Sequence, residues 1–81
     1  MKLEHIGIAI RNSADSEKIF ADLLGADSYK SENVESEGVK TTFFNVGESK
    51  IELLQALDPQ SPVAKFIEKR GEGIHHLAFE V

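Results

Sequence analysis

Apolar and polar positions alternate over residues 2–10, with Ile6, Ile8 and Ile10 on one side and His5, Gly7 and Ala9 on the other. A period of two predicts a strand with one face on a core. The period then lengthens. Ser13 can cap a helix whose first turn holds Asp15 and Glu17, where negative charge suits the helix dipole. Ile19, Phe20, Leu23 and Leu24 supply its apolar stripe, and Gly25 stands where a helix-ending glycine belongs. Residues 27–36 are mostly polar, and Tyr29 and Val34 mark an edge strand. Val39 to Val46 is rich in β-branched and aromatic residues. Gly47 to Lys50 reads as a turn, and Ile51 to Leu57 as a strand pairing back in a hairpin. After Asp58-Pro59, Ser61 and Pro62 open a short helix with Val63, Phe66 and Ile67 on its apolar side, closing at Lys69-Arg70-Gly71. A last strand covers 74–81. The predicted order is β-α-β-β-β, a helix and a final strand, an α+β fold in a single domain over 1–81.

Composition narrows the partners. A formal net charge of −5 argues against nucleic acid or an anionic membrane, since both need a basic face. With no cysteine there is neither a disulfide framework nor a thiolate metal site. The N-terminus shows no apolar signal-peptide core, and no apolar run approaches the ~18 residues of a membrane span. The expected compartment is the cytoplasm.

The last strand repeats the first. His76-Leu-Ala-Phe-Glu-Val81 falls on His5-Ile-Gly-Ile-Ala-Ile10. In both, the histidine shares its face with small or polar residues, while bulky residues (Leu77, Phe79 and Val81 in the second) take the other. That pattern suits a concave sheet with helices on its bulky side and a cavity on the other. Glu52 is a carboxylate inside an apolar strand and needs a cation, a hydrogen-bond partner or a rim position. Two histidines and a carboxylate from separate strands form a plausible set for Zn, Co, Ni, Mn or Fe. Their spacing matches no local metal motif. Taken singly, each of these histidines also reads as a hydrogen-bonded strand residue, and Glu52 as a salt-bridged edge residue. The repeat is what favours a shared site. His75 should point to the face opposite His76, as a structural residue or a support for its neighbour. The acidic stretch Glu32 to Glu37 reads as a solvated edge that could also flank a pocket.

With His5-Ile-Gly-Ile-Ala9, Leu23-Leu24-Gly25, Gly38-Val39, Lys50-Ile-Glu-Leu-Leu-Gln-Ala-Leu57, Ser61-Pro62-Val63-Ala64, Phe66-Ile67-Glu68-Lys69 and Gly73-Ile-His-His-Leu-Ala-Phe-Glu-Val81 in view, the chain resembles the methylmalonyl-CoA epimerases. These belong to the vicinal oxygen chelate superfamily, with glyoxalase I, extradiol dioxygenases and bleomycin-resistance proteins. The resemblance implies a βαβββ module over 1–57, a connecting helix over 58–73 and the first strand of a second module over 74–81. It implies an isomerase that epimerises methylmalonyl-CoA at C2 with a divalent ion (Co, Mn, Zn or Ni), held by His5, Glu52 and His76, in a homodimer. The catalytic glutamate of the family lies in the rest of the second module, for which this sequence has no counterpart. Thr41 is the nearest match to a further carboxylate that some epimerases carry, and it cannot act as a base at neutral pH. The chain is therefore expected to be a truncated piece of a longer protein or to associate with another chain. A glyoxalase-type isomerase, a dioxygenase and a non-catalytic metal- or ligand-binding dimerisation module are the alternatives.

Overall fold

A computed structural model describes residues 1–81. Its elements are β1 (Lys2–Ile10), α1 (Ser13–Leu24), β2 (Lys30–Val34), a 3-10 turn (Glu35–Glu37), β3 (Val39–Val46), β4 (Ser49–Ala56), α2 (Pro62–Arg70) and β5 (Gly73–Glu80). The strands form one sheet in the order β2-β3-β4-β1-β5. β1 runs parallel to β4, and every other neighbouring pair is antiparallel. This is the mixed α+β architecture expected from the sequence.

The strand faces sort the core into two clusters. Ile10, Phe44 and Leu53 are buried under α1, which adds Phe20, Ala21 and Leu24. On the other face Ala9, Val39 and Leu54 are buried under Val63 of α2, flanked by Phe66 and Ile67. The helices therefore cover opposite faces. α2 lies on the histidine-bearing side, where the alternation had placed only a cavity. It covers just the Ala9 and Leu54 end, and leaves the His5 end open.

Local signals explain the helix ends with one shift. Asn12, not Ser13, caps α1, its side chain accepting the Asp15 N–H at 3.0 Å. Ser13 is buried instead and gives its N–H to Gln55 Oε1 at 2.5 Å. Gly25 closes α1 at φ 70°, a left-handed conformation that glycine adopts without a Cβ clash. Ser61 caps α2 through the Ala64 N–H, with Pro62 in the first turn, as the sequence predicts. β4 begins two residues earlier than its apolar run, at Ser49, because the hairpin turn needs only Gly47 and Glu48.

Two apolar groups remain exposed. Ile19 and Leu23 of the expected helix stripe face solvent, because the apolar contact of α1 with the sheet is made by Phe20, Ala21 and Leu24. Ile74, Leu77 and Phe79 of β5 are also exposed, since no helix reaches that side of the edge strand. The expectation that the bulky side of the last strand packs under a helix is not met in this chain. No helix is long and apolar enough to cross a membrane.

Candidate metal centre

Strand register brings the three distant residues together. Gly7 pairs with Glu52 of β4 on one side and with His76 of β5 on the other. His5 lies two residues along β1, so the pleat returns its side chain to the face of Gly7. The result is a triangle over a glycine floor. A Cβ on Gly7 would lie 2.2 Å from His76 Cε1 and 2.6 Å from both ring nitrogens. The imidazole thus occupies the space that a side chain at position 7 would need.

One donor atom from each of His5, Glu52 and His76 lies within 4.8 Å of the others. His5 Nε2 is 3.0 Å from His76 Nε2, with the rings edge to face. Glu52 Oε2 is 3.4 Å from His5 Nδ1. An ion with bonds of about 2.1 Å sets neighbouring donors about 3.0–3.4 Å apart, between octahedral and tetrahedral angles. The two imidazole nitrogens already stand at that separation. The carboxylate is on a flexible stem that can close the wider gap. Nitrogen and oxygen donors in this mixture suit a first-row divalent cation. The residues fit such an ion.

Each histidine of the triangle has a partner on its own strand, and in both cases a β-bulge delivers it. Leu3 pairs with Phe79 and His5 with Ala78, which leaves Glu4 unpaired on β1. Gly7 pairs with His76 and Ile8 with Ile74, which leaves His75 unpaired on β5. An extra residue breaks the in-out alternation and re-aims its side chain. Glu4 Oε1 accepts a hydrogen bond from His5 Nδ1 at 2.6 Å, and Glu4 Oε2 accepts one from Lys50 Nζ at 3.0 Å. His75 Nδ1 is 3.0 Å from His76 Nδ1, and its ring packs on Phe66 of α2 at 4.9 Å. His75 therefore lies on the same side as His76, not on the opposite face that plain alternation predicts. Glu4 carried no signal in the residue pattern, because only the register shift brings it to His5.

The contacts define one consistent set of protons. His5 Nδ1–H donates to Glu4, leaving the His5 Nε2 lone pair free to accept from His76 Nε2–H. His76 Nδ1 then accepts from His75 Nδ1–H. Burial holds the His76 pKa below its ordinary value, and nearby His5 and His75 add to the effect while Glu52 opposes it. Hydrogen bonds from His5 and then Lys50 hold the Glu4 carboxyl below the usual range, and Glu4 in turn raises Lys50.

A cavity of about 690 Å³ opens beside the triangle. Glu52, His75, His76 and Thr41 wall one end, while Glu37 and Ser61 belong to the 3-10 turn and the start of α2. Glu35 and Asp58 add further negative charge to its walls. His5 is not part of the lining. The acidic stretch that reads as a solvated edge thus also borders the cavity.

Comparison with known proteins places this geometry. Residues 4–81 match the family model for the glyoxalase/bleomycin resistance protein/dioxygenase superfamily. The uncharacterized protein YqjC of Bacillus subtilis is 41% identical over 78 residues, covering 96% of this chain and 56% of its own length. The mitochondrial methylmalonyl-CoA epimerase of Dictyostelium discoideum is 37% identical over 81 residues, 99% of this chain and 49% of that protein. A solved variant of Streptomyces coelicolor methylmalonyl-CoA epimerase, in complex with 2-nitronate-propionyl-CoA, superposes with a TM-score of 0.88 at 29% identity. That match covers 98% of this chain and 59% of that one. The chain spans about half the length of the curated relatives it matches.

Proposed function

Because the chain belongs to the glyoxalase/bleomycin resistance protein/dioxygenase superfamily, we propose that it forms the metal-holding half of a methylmalonyl-CoA epimerase-type isomerase. The observation that carries this reading is the convergence of His5, Glu52 and His76 within 4.8 Å beside a cavity. The names and the acyl-CoA complex of its relatives support the substrate class.

In this reading His5 and His76 present Nε2 lone pairs and Glu52 presents one oxygen, leaving the cavity side of the centre for substrate. The chemistry a divalent ion supplies there is Lewis acidity toward the carboxylate and thioester oxygens of a malonyl thioester, which acidifies the C–H between them. For His76 to offer an Nε2 lone pair, its single ring proton would be exchanged from Nε2 to Nδ1, and His75 would carry its own proton on Nε2 so that its Nδ1 accepts from His76 Nδ1–H. His75 is thereby assigned as support for His76. Thr41 borders the cavity and orients or excludes water without taking a proton. Removing the C2 proton and returning it on the opposite face would fall to acid–base groups brought against the centre by a second module or by a second copy of this chain. The exposed side of β5 (Ile74, Leu77 and Phe79) is a surface that such a module or a homodimer partner would cover. Residence in the cytoplasm is part of the proposal. The metal is assigned only as Co, Mn, Zn or Ni.

One observation favours a second reading. Glu35, Glu37 and Asp58 line the cavity and repel the phosphates of a CoA ester. An isomerase or dioxygenase on the same scaffold, acting on a smaller substrate, meets no such repulsion. Solvent deuterium incorporation at C2 of methylmalonyl-CoA, with Co²⁺ or Mn²⁺ added, separates the two. It is measured on this chain and on the chain fused to a second epimerase module. Exchange that requires the ion and disappears in His76→Ala supports the epimerase reading. No exchange from either metal-loaded protein overturns it, and turnover of a hemithioacetal or catechol instead establishes the second.

A further inference from the structure

Glu4 sits outside the triangle, yet a register shift in β1 places it. The unpaired position between Leu3 and His5 puts its carboxylate beside the His5 ring. Both oxygens are engaged, Oε1 by His5 Nδ1 at 2.6 Å and Oε2 by Lys50 Nζ at 3.0 Å. Lys50 is the residue paired with His5 across the parallel β1/β4 ladder, so the clamp is anchored on the neighbouring strand. A carboxylate held at both oxygens presents a fixed acceptor to Nδ1. An imidazole that gives Nδ1–H to such an acceptor keeps its lone pair on Nε2. That nitrogen is the one 3.0 Å from His76. The equivalent bulge on β5 supplies His76 with an imidazole, which can both give and accept a proton. Glu4, ionised, can only accept. The two bulges therefore differ in kind: one permits His76 to exchange tautomers, and the other denies that exchange to His5.

Resting on the metal-centre reading, we propose that Glu4, clamped by Lys50, is a positioning residue that locks His5 in the tautomer whose Nε2 lone pair faces His76. A carboxylate on the far nitrogen of a metal-ligating imidazole orients the ring and raises its basicity, and its loss costs roughly 10–100-fold in metal affinity. Two readouts test this: the His5 tautomer from ¹⁵N ring shifts in the ion-free protein, and Co²⁺ affinity by titration. Wild type should show His5 protonated at Nδ1 alone. Glu4→Ala should give a mixture of tautomers and Co²⁺ binding weakened by roughly 10–100-fold. Glu4→Gln, whose amide oxygen can accept the same bond, should stay within a few-fold of wild type. Lys50→Met leaves β1 intact and should fall between them, which keeps the test decisive if Glu4→Ala does not fold. A His5 tautomer and Co²⁺ affinity unchanged in both Glu4→Ala and Lys50→Met overturn the proposal. Failure of wild type to bind Co²⁺ overturns the metal-centre reading alone. The tautomer measurement then still decides the role of Glu4, a shift supporting it and no shift refuting it.

Discussion

Replacing Gly7 with alanine adds one methyl group at the floor of the triangle, and the structure sets the size of the consequence. The new Cβ would lie 2.2 Å from His76 Cε1. Non-bonded carbons rest at about 3.5 Å or more, so the ring must withdraw by about 1.3 Å or rotate away. The separation of 3.0 Å between the two Nε2 atoms then no longer holds. A centre that loses one well-aimed donor should bind Co²⁺ at least ~100-fold more weakly, by analogy with the loss of supporting partners, or about 2.7 kcal/mol. The fold itself should survive. Gly7 is in ordinary strand conformation, with no positive φ to preserve. Alanine suits a strand better than glycine, and overpacking costs about 1–3 kcal/mol if the ring resists. The assay is Co²⁺ titration by visible absorption or calorimetry, with circular dichroism to confirm the fold. His76→Ala supplies the control. If Gly7→Ala acts only through His76, it should add nothing in the His76→Ala background, a coupling that a double-mutant cycle measures. A folded Gly7→Ala protein that binds Co²⁺ within a few-fold of wild type refutes the reasoning, as does full additivity of the two changes.

The ion-free protein should lose stability as pH falls through 6.5, the ordinary histidine value, because the lowered pKa of His76 leaves its proton to the unfolded chain first. Melting temperature measured between pH 8 and 5 should show this decline (a range of about three units around the histidine pKa), and His76→Gln should flatten it. Metal affinity should weaken over the same window, since the Nε2 atoms of His5 and His76 must each be free of a proton to bind. Saturating Co²⁺ or Mn²⁺ should raise the melting temperature, by the equivalent of about 2.7 kcal/mol at a hundredfold excess over Kd, and His5→Ala should abolish the rise. Thr42 is fully buried with its Oγ1 unpartnered, so Thr42→Val should gain about 1 kcal/mol in urea unfolding. Ser61→Ala removes the Oγ that accepts the Ala64 N–H and should cost about 1 kcal/mol by the same method.

Much of this arrangement is legible in the residue pattern, and the exceptions share a cause. Alternation in 2–10 and 39–46 and the Ser61-Pro62 signal place elements to within a residue or so, because each reflects local chemistry. Asn12 and Ser13 are both competent caps, and only the burial of Ser13 against Gln55 decides between them. Ile19 and Leu23 fit a helix stripe but lie outside the footprint of α1 on the sheet, which no local pattern records. The site follows the same division. His5, Glu52 and His76 stand out as polar residues in strand contexts. Glu4 and the true side of His75 are hidden, because a bulge is a property of two paired strands and inverts a period-two reading of either one.

The pairing of β1 with β5 turns the sequence echo into geometry. Placing His76 on His5 also places Ala78 on Gly7, and the observed register pairs His5 with Ala78 and His76 with Gly7. These two pairs are images of one another, so the antiparallel ladder is a local two-fold in which each histidine faces the small residue of the other repeat. The bulges obey the same relation, Glu4 preceding His5 and His75 preceding His76. An approximate two-fold of this kind brings two equivalent nitrogens to a shared point near its axis, and the observed 3.0 Å between Nε2 atoms is that meeting. Exact symmetry would supply identical partners behind each ring. The chain departs from it at just those positions, with a carboxylate behind His5 and an imidazole behind His76. Glu52 comes from β4, on one side of the pair alone. The symmetric part of the design thus suffices to gather two imidazoles, and the asymmetric part determines which of them can change tautomer as an ion enters.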